Sequence, residues 1–191
     1  MSKRLGMVID QERCIGCDAC TVACRMENNT TELWIQVETQ DSQKDVPSGD
    51  APDLWLKFLP RFCNHCSNPP CVEACPIEAI SKSKDGPVVL DRDNCDGCQA
   101  CIEACPYDVI QFNQEKGTAE KCNFCAHRLE QGLEPFCLVC CEGQAIFFGD
   151  LNDPNSVVSK KIAERETFQL KLDAGTEPSV YYCQMKPRRR L

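Results

Sequence analysis

The chain has 191 residues, a formal charge of −8 and a hydrophobic fraction of 42 % that includes eighteen cysteines. Its length suits one domain or two small ones, and its acidity argues against a nucleic-acid binder, which needs a basic face. Cysteine, at about 9 % of the residues, reaches the range of roughly 8–10 % that marks a specialised scaffold, and without it little remains for an ordinary aliphatic core.

In chain order, MSKRLGMVIDQERC has no apolar stretch ending in a small-residue cleavage site, so no secretory signal is expected there. MVID at 7–10 reads as a strand leading into CIGCDACTVAC, which holds Cys14, Cys17, Cys20 and Cys24. CTVAC reads as the first turn of a short helix. The polar stretch 40–53, punctuated by Pro and Gly, is a surface loop. A strand at 55–60, WLKFLP, precedes the second group: Cys63, Cys66, Cys71 and Cys75 in CNHCSNPPCVEACP. VVLD at 88–91 precedes the third, Cys95, Cys98, Cys101 and Cys105 in CDGCQACIEACP, where CIEAC is again a helical turn. Pro76 and Pro106 lie just past these turns, where a missing N–H redirects the chain. DVIQF at 108–112 is a strand. The fourth group is stretched: Cys122 and Cys125 in CNFC, then Cys137 and Cys141 after an insertion of eleven residues. AIFFGD at 145–150 is a strand, and DPNSVVSKKIAERE a helix with Asp153 as N-cap and Pro154 at its first position. FQLKLDAGTEPSVYYCQMKP suggests one or two strands packed on the body or on a partner. The basic KPRRRL is a solvated tail. No apolar run approaches the roughly 18 residues that a membrane span needs.

Sixteen of the eighteen cysteines stand in the four groups. Disulfide frameworks spread their cysteines to close larger loops, and bridge geometry disfavours so many near neighbours. Metal ligation accounts for the spacing. A cubane has four iron corners, each taking one thiolate. Cysteines at i, i+3 and i+6 cap three corners of one cluster, and the cysteine at i+10, a helical turn further on, caps another. The run C-x2-C-x2-C-x3-C-P is the bacterial ferredoxin pattern. The third group matches it in full, and the second has two extra residues before its third cysteine. Zinc knuckles also use C-x2-C pairs, but they need no third cysteine two residues later. The second and third groups share a Cys-Pro ending and lie nineteen residues apart, as in a two-cluster ferredoxin. The first and fourth have Arg25 and Glu142 in place of that proline, and so pair with each other across the sequence.

These groups, with RLGMVID, CRMENNT, CNHCSNPPC, CPYDVI, KCNFCAHRLEQGLEPFC and GDLNDPNS, resemble the four-cluster ferredoxin-type subunits of dimethyl sulfoxide reductase superfamily molybdopterin oxidoreductases. The resemblance spans about residues 4 to 160 and is nearest in feel to the small subunits of arsenate, polysulfide or thiosulfate reductases. It implies four 4Fe-4S clusters: cluster 1 on Cys14, Cys17, Cys20 and Cys141; cluster 2 on Cys24, Cys122, Cys125 and Cys137; cluster 3 on Cys63, Cys66, Cys71 and Cys105; cluster 4 on Cys75, Cys95, Cys98 and Cys101. The x3 gap favours Cys141 over its neighbour Cys140, although the family usually has proline after that cysteine and this chain has Glu142. The expected fold is α+β: two interleaved bacterial ferredoxin-like units plus a C-terminal extension. Residues 1–53 with 113–150 form the outer unit (clusters 1 and 2), 54–112 the inserted central unit (clusters 3 and 4), and 151–191 a docking tail.

The implied role is a molecular wire, without substrate chemistry of its own. Electrons would pass between a catalytic subunit carrying a molybdenum or tungsten bis-pterin and a quinol-linked membrane subunit or soluble carrier. A free-standing soluble polyferredoxin is the alternative reading, and a structural zinc protein a more distant one. The compartment stays open, because such subunits can travel folded beside a partner that bears the export signal. Of the remaining residues, His65 and His127 are expected to hydrogen-bond near the ligands or to pack, since four cysteines already fill each site. Arg61, Lys121 and Arg128 flank the cluster loops, where a cation raises reduction potential; solvated surface is the plain reading. Trp34 and Trp55 are expected in the core, and Cys183 is a buried or idle thiol.

Overall fold

The computed structural model describes residues 3–40 and 46–185. In chain order the first half contains β1 (Leu5–Asp10), α1 (Ala19–Asn28), β2 (Gln36–Thr39), β3 (Phe58–Arg61), α2 (Pro70–Glu73), β4 (Ile80–Lys82), β5 (Val88–Leu90) and α3 (Ala100–Ala104). The second contains β6 (Gln111–Asn113), β7 (Thr118–Glu120), α4 (Ala126–Leu129), α5 (Phe136–Val139), β8 (Ile146–Asp150), α6 (Val157–Glu164), β9 (Thr167–Phe168) and β10 (Val180–Cys183). The chain is mixed α/β, with small helices and short strands.

The largest sheet has the order β8-β1-β10-β9, with β1 antiparallel to β8 and parallel to β10. This explains the nearly continuous apolar run LGMVID, since β1 is buried on both faces. Met7 and Ile9 face the main core, while Val8 packs with Val158 of α6 and Cys183 of β10. Each such side chain contributes roughly 1.5–3 kcal/mol on burial. The remaining strands form three two-stranded ribbons, β2-β3, β4-β5 and β6-β7. Packing of α1 against α5, and of α2 against α3, draws the cysteine groups together in pairs.

Three expectations shift. The strand expected at 55–60 begins at Phe58, because Trp55 pairs with Ser48 in an isolated bridge and is only half-buried. The strand expected at 108–112 begins at Gln111, because Asp108 takes a left-handed φ of 55° in the turn after Pro106. The helix after Asp150 is capped by Ser156, whose Oγ accepts the Ser159 N–H at 3.2 Å, and not by Asp153. Asp153 instead closes the preceding turn, its Oδ1 accepting the Asn155 N–H at 2.8 Å. Of the loop expected at 40–53, residues 41–45 lie outside the described residues, as does KPRRRL.

The segment after α6 packs on this chain. The Ser179 N–H donates to the Asn64 carbonyl at 2.8 Å, and those of Ser67 and Asn68 donate to the carbonyls of Glu177 (2.9 Å) and Thr176 (3.0 Å). Residues 176–179 thus cover the CNHC loop. Cys183 is fully buried in the sheet.

Candidate functional site

All eighteen cysteines are free thiols. Cys14, Cys17, Cys20 and Cys141 line one cavity, and Cys63, Cys66, Cys71 and Cys105 another. Two further quartets follow from which thiols feel one another's charge. Burial raises the Cys24 thiol to about 12, with Cys125 adding to the rise. Burial likewise lifts Cys122 well above its ordinary value, and then Cys24, Cys63 and Cys137 lift it further. Cys101 is pushed up to about 11 by burial, then by Cys95, Cys75 and Cys98. The cavities bring together the first and third of the expected ligand sets, and the mutual charge effects place Cys24, Cys122, Cys125 and Cys137 near one another, and likewise Cys75, Cys95, Cys98 and Cys101. Cys141 faces the first cavity and Cys140 does not line it.

Thiols of neighbouring quartets also lie close to one another. Cys20 and Cys24 are both buried on α1, and Cys137 feels Cys20 as well as Cys24, which joins the first quartet to the second. Cys122 feels Cys63, joining the second to the third. Cys71, Cys75, Cys101 and Cys105 share one core cluster, joining the third to the fourth. The local reason is that α1 carries Cys20 and Cys24 one turn apart on a shared face, and α3 carries Cys101 and ends at Cys105. Every thiol of the second quartet is buried, while Cys17 in the first and Cys98 in the fourth reach the surface.

These donors fit an iron–sulfur body. Crowded, desolvated thiolates are stable only against a cationic centre, and soft sulfur donors select such metals. Donors to sulfur are already present: the Phe124 N–H lies 3.4 Å from Cys122 Sγ, the Ala145 N–H 3.2 Å from Cys141 Sγ, and Asn28 Nδ2 3.6 Å from Cys24 Sγ.

Gly16 in CIGC, at φ 68°, shows how closely the loops are held, because an added Cβ would come within 2.5 Å of the Phe58 ring. Lys121 is buried, with Nζ 3.9 Å from Cys63 Sγ, and donates to the carbonyls of Cys122 (3.0 Å) and Val88. Arg61 is instead paired with Glu38 at 2.7 Å, and Arg128 with Glu27 at 3.3 Å while lying over the Phe136 ring. His127 is exposed and bonds Glu27 at 2.8 Å, away from the thiols. Trp34 is in the core, donating to Glu120 at 3.3 Å. Sequence reasoning passed over Asn28, although its place four residues after Cys24 on one helix signals a shared face. It also passed over Glu120, which carried no local signal.

The model of the 4Fe-4S dicluster domain matches residues 54–151, and that of the 4Fe-4S binding domain residues 5–26. A tetrathionate reductase subunit of Salmonella typhimurium is 44 % identical, the match covering 94 % of this chain and 72 % of the relative. The arsenate respiratory reductase iron–sulfur subunit of a Shewanella species is 36 % identical over 94 % of this chain and 95 % of its own. A Halobacterium salinarum protein assigned as a dimethyl sulfoxide reductase iron–sulfur subunit is 44 % identical, covering 96 % and 81 %.

Proposed function

This chain belongs to the ferredoxin-type iron–sulfur subunits of dimethyl sulfoxide reductase superfamily molybdopterin oxidoreductases, and from that premise we propose that its four thiol quartets each hold one 4Fe-4S cluster. The protein is an electron-transfer subunit. A cluster so held takes up and releases one electron with little change in geometry, which is the chemistry it supplies. The chain's own residues do the rest. Cys14, Cys17, Cys20 and Cys141 hold the first cluster; Cys24, Cys122, Cys125 and Cys137 the second. Cys63, Cys66, Cys71 and Cys105 hold the third; Cys75, Cys95, Cys98 and Cys101 the fourth. The apolar packing of Phe62, Phe124 and Ile146 excludes water around the interior thiols.

The observation that supports this reading is that Cys24, Cys122, Cys125 and Cys137 are all buried, while Cys17 in the first quartet and Cys98 in the fourth are exposed. Such an arrangement admits charge at one end and releases it at the other. We assign the outer ferredoxin-like unit to residues 1–53 with 113–150 and the inserted unit to 54–112. Pairing of β1 with β8 and of β4 with β5 falls within these units, while the ribbons β2-β3 and β6-β7 join one unit to the other. Residues 151–184 complete the outer sheet, and any docking role of this tail is additional to that. The partner at one end is a large catalytic subunit with a molybdenum or tungsten bis-pterin; at the other it is a quinol-linked membrane subunit or a soluble carrier. Among the described residues, no helix is long and apolar enough to cross a membrane.

Anaerobic purification tests this reading. It expects about sixteen irons per chain with equal sulfide, and co-elution with a large pterin-containing protein. Cys141→Ser lowers iron to about twelve per chain, and Cys140→Ser leaves it at about sixteen. Iron-free native protein, or a chain that always purifies alone, would overturn the cluster or the partner assignment respectively.

A further inference from the structure

Each of the four groups opens with a Cys-x-x-Cys turn, and in every one the residue before the second cysteine is left-handed: Gly16 at φ 68°, His65 at 41°, Gly97 at 75° and Phe124 at 56°. Glycine takes this conformation at no steric cost, whereas a side chain there costs roughly 1–2 kcal/mol. Two of the turns accept that cost, and they are the two whose cysteines meet between the second and third quartets. Their rings stack on one another, with centroids 3.5 Å apart and planes at 28°, and both are fully buried.

Phe124 offers no polar atom, but His65 does. Its Nδ1 accepts the Val88 N–H at 3.0 Å. A neutral imidazole that accepts at one nitrogen carries its proton on the other. With Nδ1 occupied as an acceptor, the ring's proton sits on Nε2. Among the described residues Nε2 is buried and has no protein partner. An unmet buried donor costs roughly 1–3 kcal/mol. The ring lines the same cavity as Cys63, Cys66, Cys71 and Cys105.

Resting on the reading that this quartet holds a 4Fe-4S cluster, we propose that His65 donates its Nε2–H to a sulfur of that cluster and raises its reduction potential. The proton stays on the ring throughout. The bond strengthens when the sulfur gains electron density, which favours the reduced state. Phe124 holds the ring plane, and Val88 fixes the tautomer.

The chain has two histidines, His65 and His127, so 15N-labelled histidine gives a selective probe. In anaerobically purified, cluster-loaded protein, pulsed EPR of the reduced state should show one weak 15N coupling. His127→Phe should keep that coupling. His65→Phe, which preserves the ring stack and removes only the donor, should abolish it. The same variant should lower one midpoint potential by a tenfold change in the reduction equilibrium, about 59 mV for one electron. If His65→Phe fails to load, the coupling in the unmutated protein still decides. Loaded protein without a 15N coupling overturns the role of His65 and leaves the cluster assignment standing. Protein without iron overturns the assignment beneath it.

Discussion

The ammonium of Lys121 lies 3.9 Å from Cys63 Sγ while its backbone continues directly into Cys122, so one buried cation sits between the second and third quartets. Its other partners, the carbonyls of Val88 and Cys122, carry no charge. A cation at such a place stabilises added negative charge on either side. With an effective dielectric near 20, two unit charges at about this separation interact by on the order of 4 kcal/mol, or roughly 200 mV for one electron. Lys121→Met should therefore lower the potential of one or both neighbouring clusters by up to about 200 mV in an EPR-monitored titration. Unchanged potentials in a fully loaded variant would refute this.

Gly97 and Gly117 are both left-handed, at φ 75° and 67°, yet they differ in their surroundings. A Cβ on Gly97 would lie 2.3 Å from the Gly117 carbonyl oxygen, whereas one on Gly117 meets nothing within 4 Å. Gly117→Ala should cost roughly 1–2 kcal/mol from backbone strain alone. Gly97→Ala should cost about 2 kcal/mol more, because the clash is with backbone. Urea unfolding and the rate of iron loss from the two variants provide the comparison, and equal losses would contradict the stated packing.

Glu120 is fully buried and anchors five groups: Thr30, Trp34, Arg92, Lys116 and Asn113. Burial acts to raise its pKa, but the hydrogen bonds from Thr30 and Lys116, with the charges of Lys116 and Arg92, hold it below the ordinary carboxylate value. Glu120→Ala leaves the buried Thr30, Trp34 and Asn113 donors without their acceptor, while Arg92 and Lys116 reach solvent, and should destabilise the protein by about 1–3 kcal/mol. Glu120→Gln keeps an acceptor and should cost less. Chemical denaturation at neutral pH distinguishes them.

Deleting residues 166–191 removes β9 and β10, and so uncovers the parallel edge of β1. It also removes the Tyr182 hydroxyl, which donates to the Pro60 carbonyl at 3.0 Å, and the Ser179 bond to Asn64. The expected result is aggregation or failure to load iron, since an open apolar edge is an aggregation site. A soluble, loaded truncate that merely loses its partner would show that the segment serves docking alone.

The four cysteine groups and their 4Fe-4S binding character were legible because ligand spacing is a local property. In the first and third groups three cysteines fall within seven residues, whatever the rest of the chain does. The strands at 7–10, 88–91 and 145–150 were legible for a similar reason, each being a short β-favouring run. The central place of β10 was not, because its parallel partner β1 lies at the other end of the sequence and tertiary packing alone selects it. Local turn chemistry moved the helix cap from Asp153 to Ser156, since both residues are good caps and Asp153 closes a turn of its own. The left-handed conformations of His65 and Phe124 were hidden because neither position holds the glycine that would announce them.

Strand β1 is sandwiched between β8 and β10, and its register with β10 runs from Met7–Val180 to Asp10–Cys183. Strand β1 is therefore made before β10, and that side of its sheet can close only once β10 has followed. All sixteen grouped cysteines, from Cys14 to Cys141, are translated before that moment. The order of synthesis thus leaves an interval in which metal delivery can reach the thiols before β10 seals the sheet beside them.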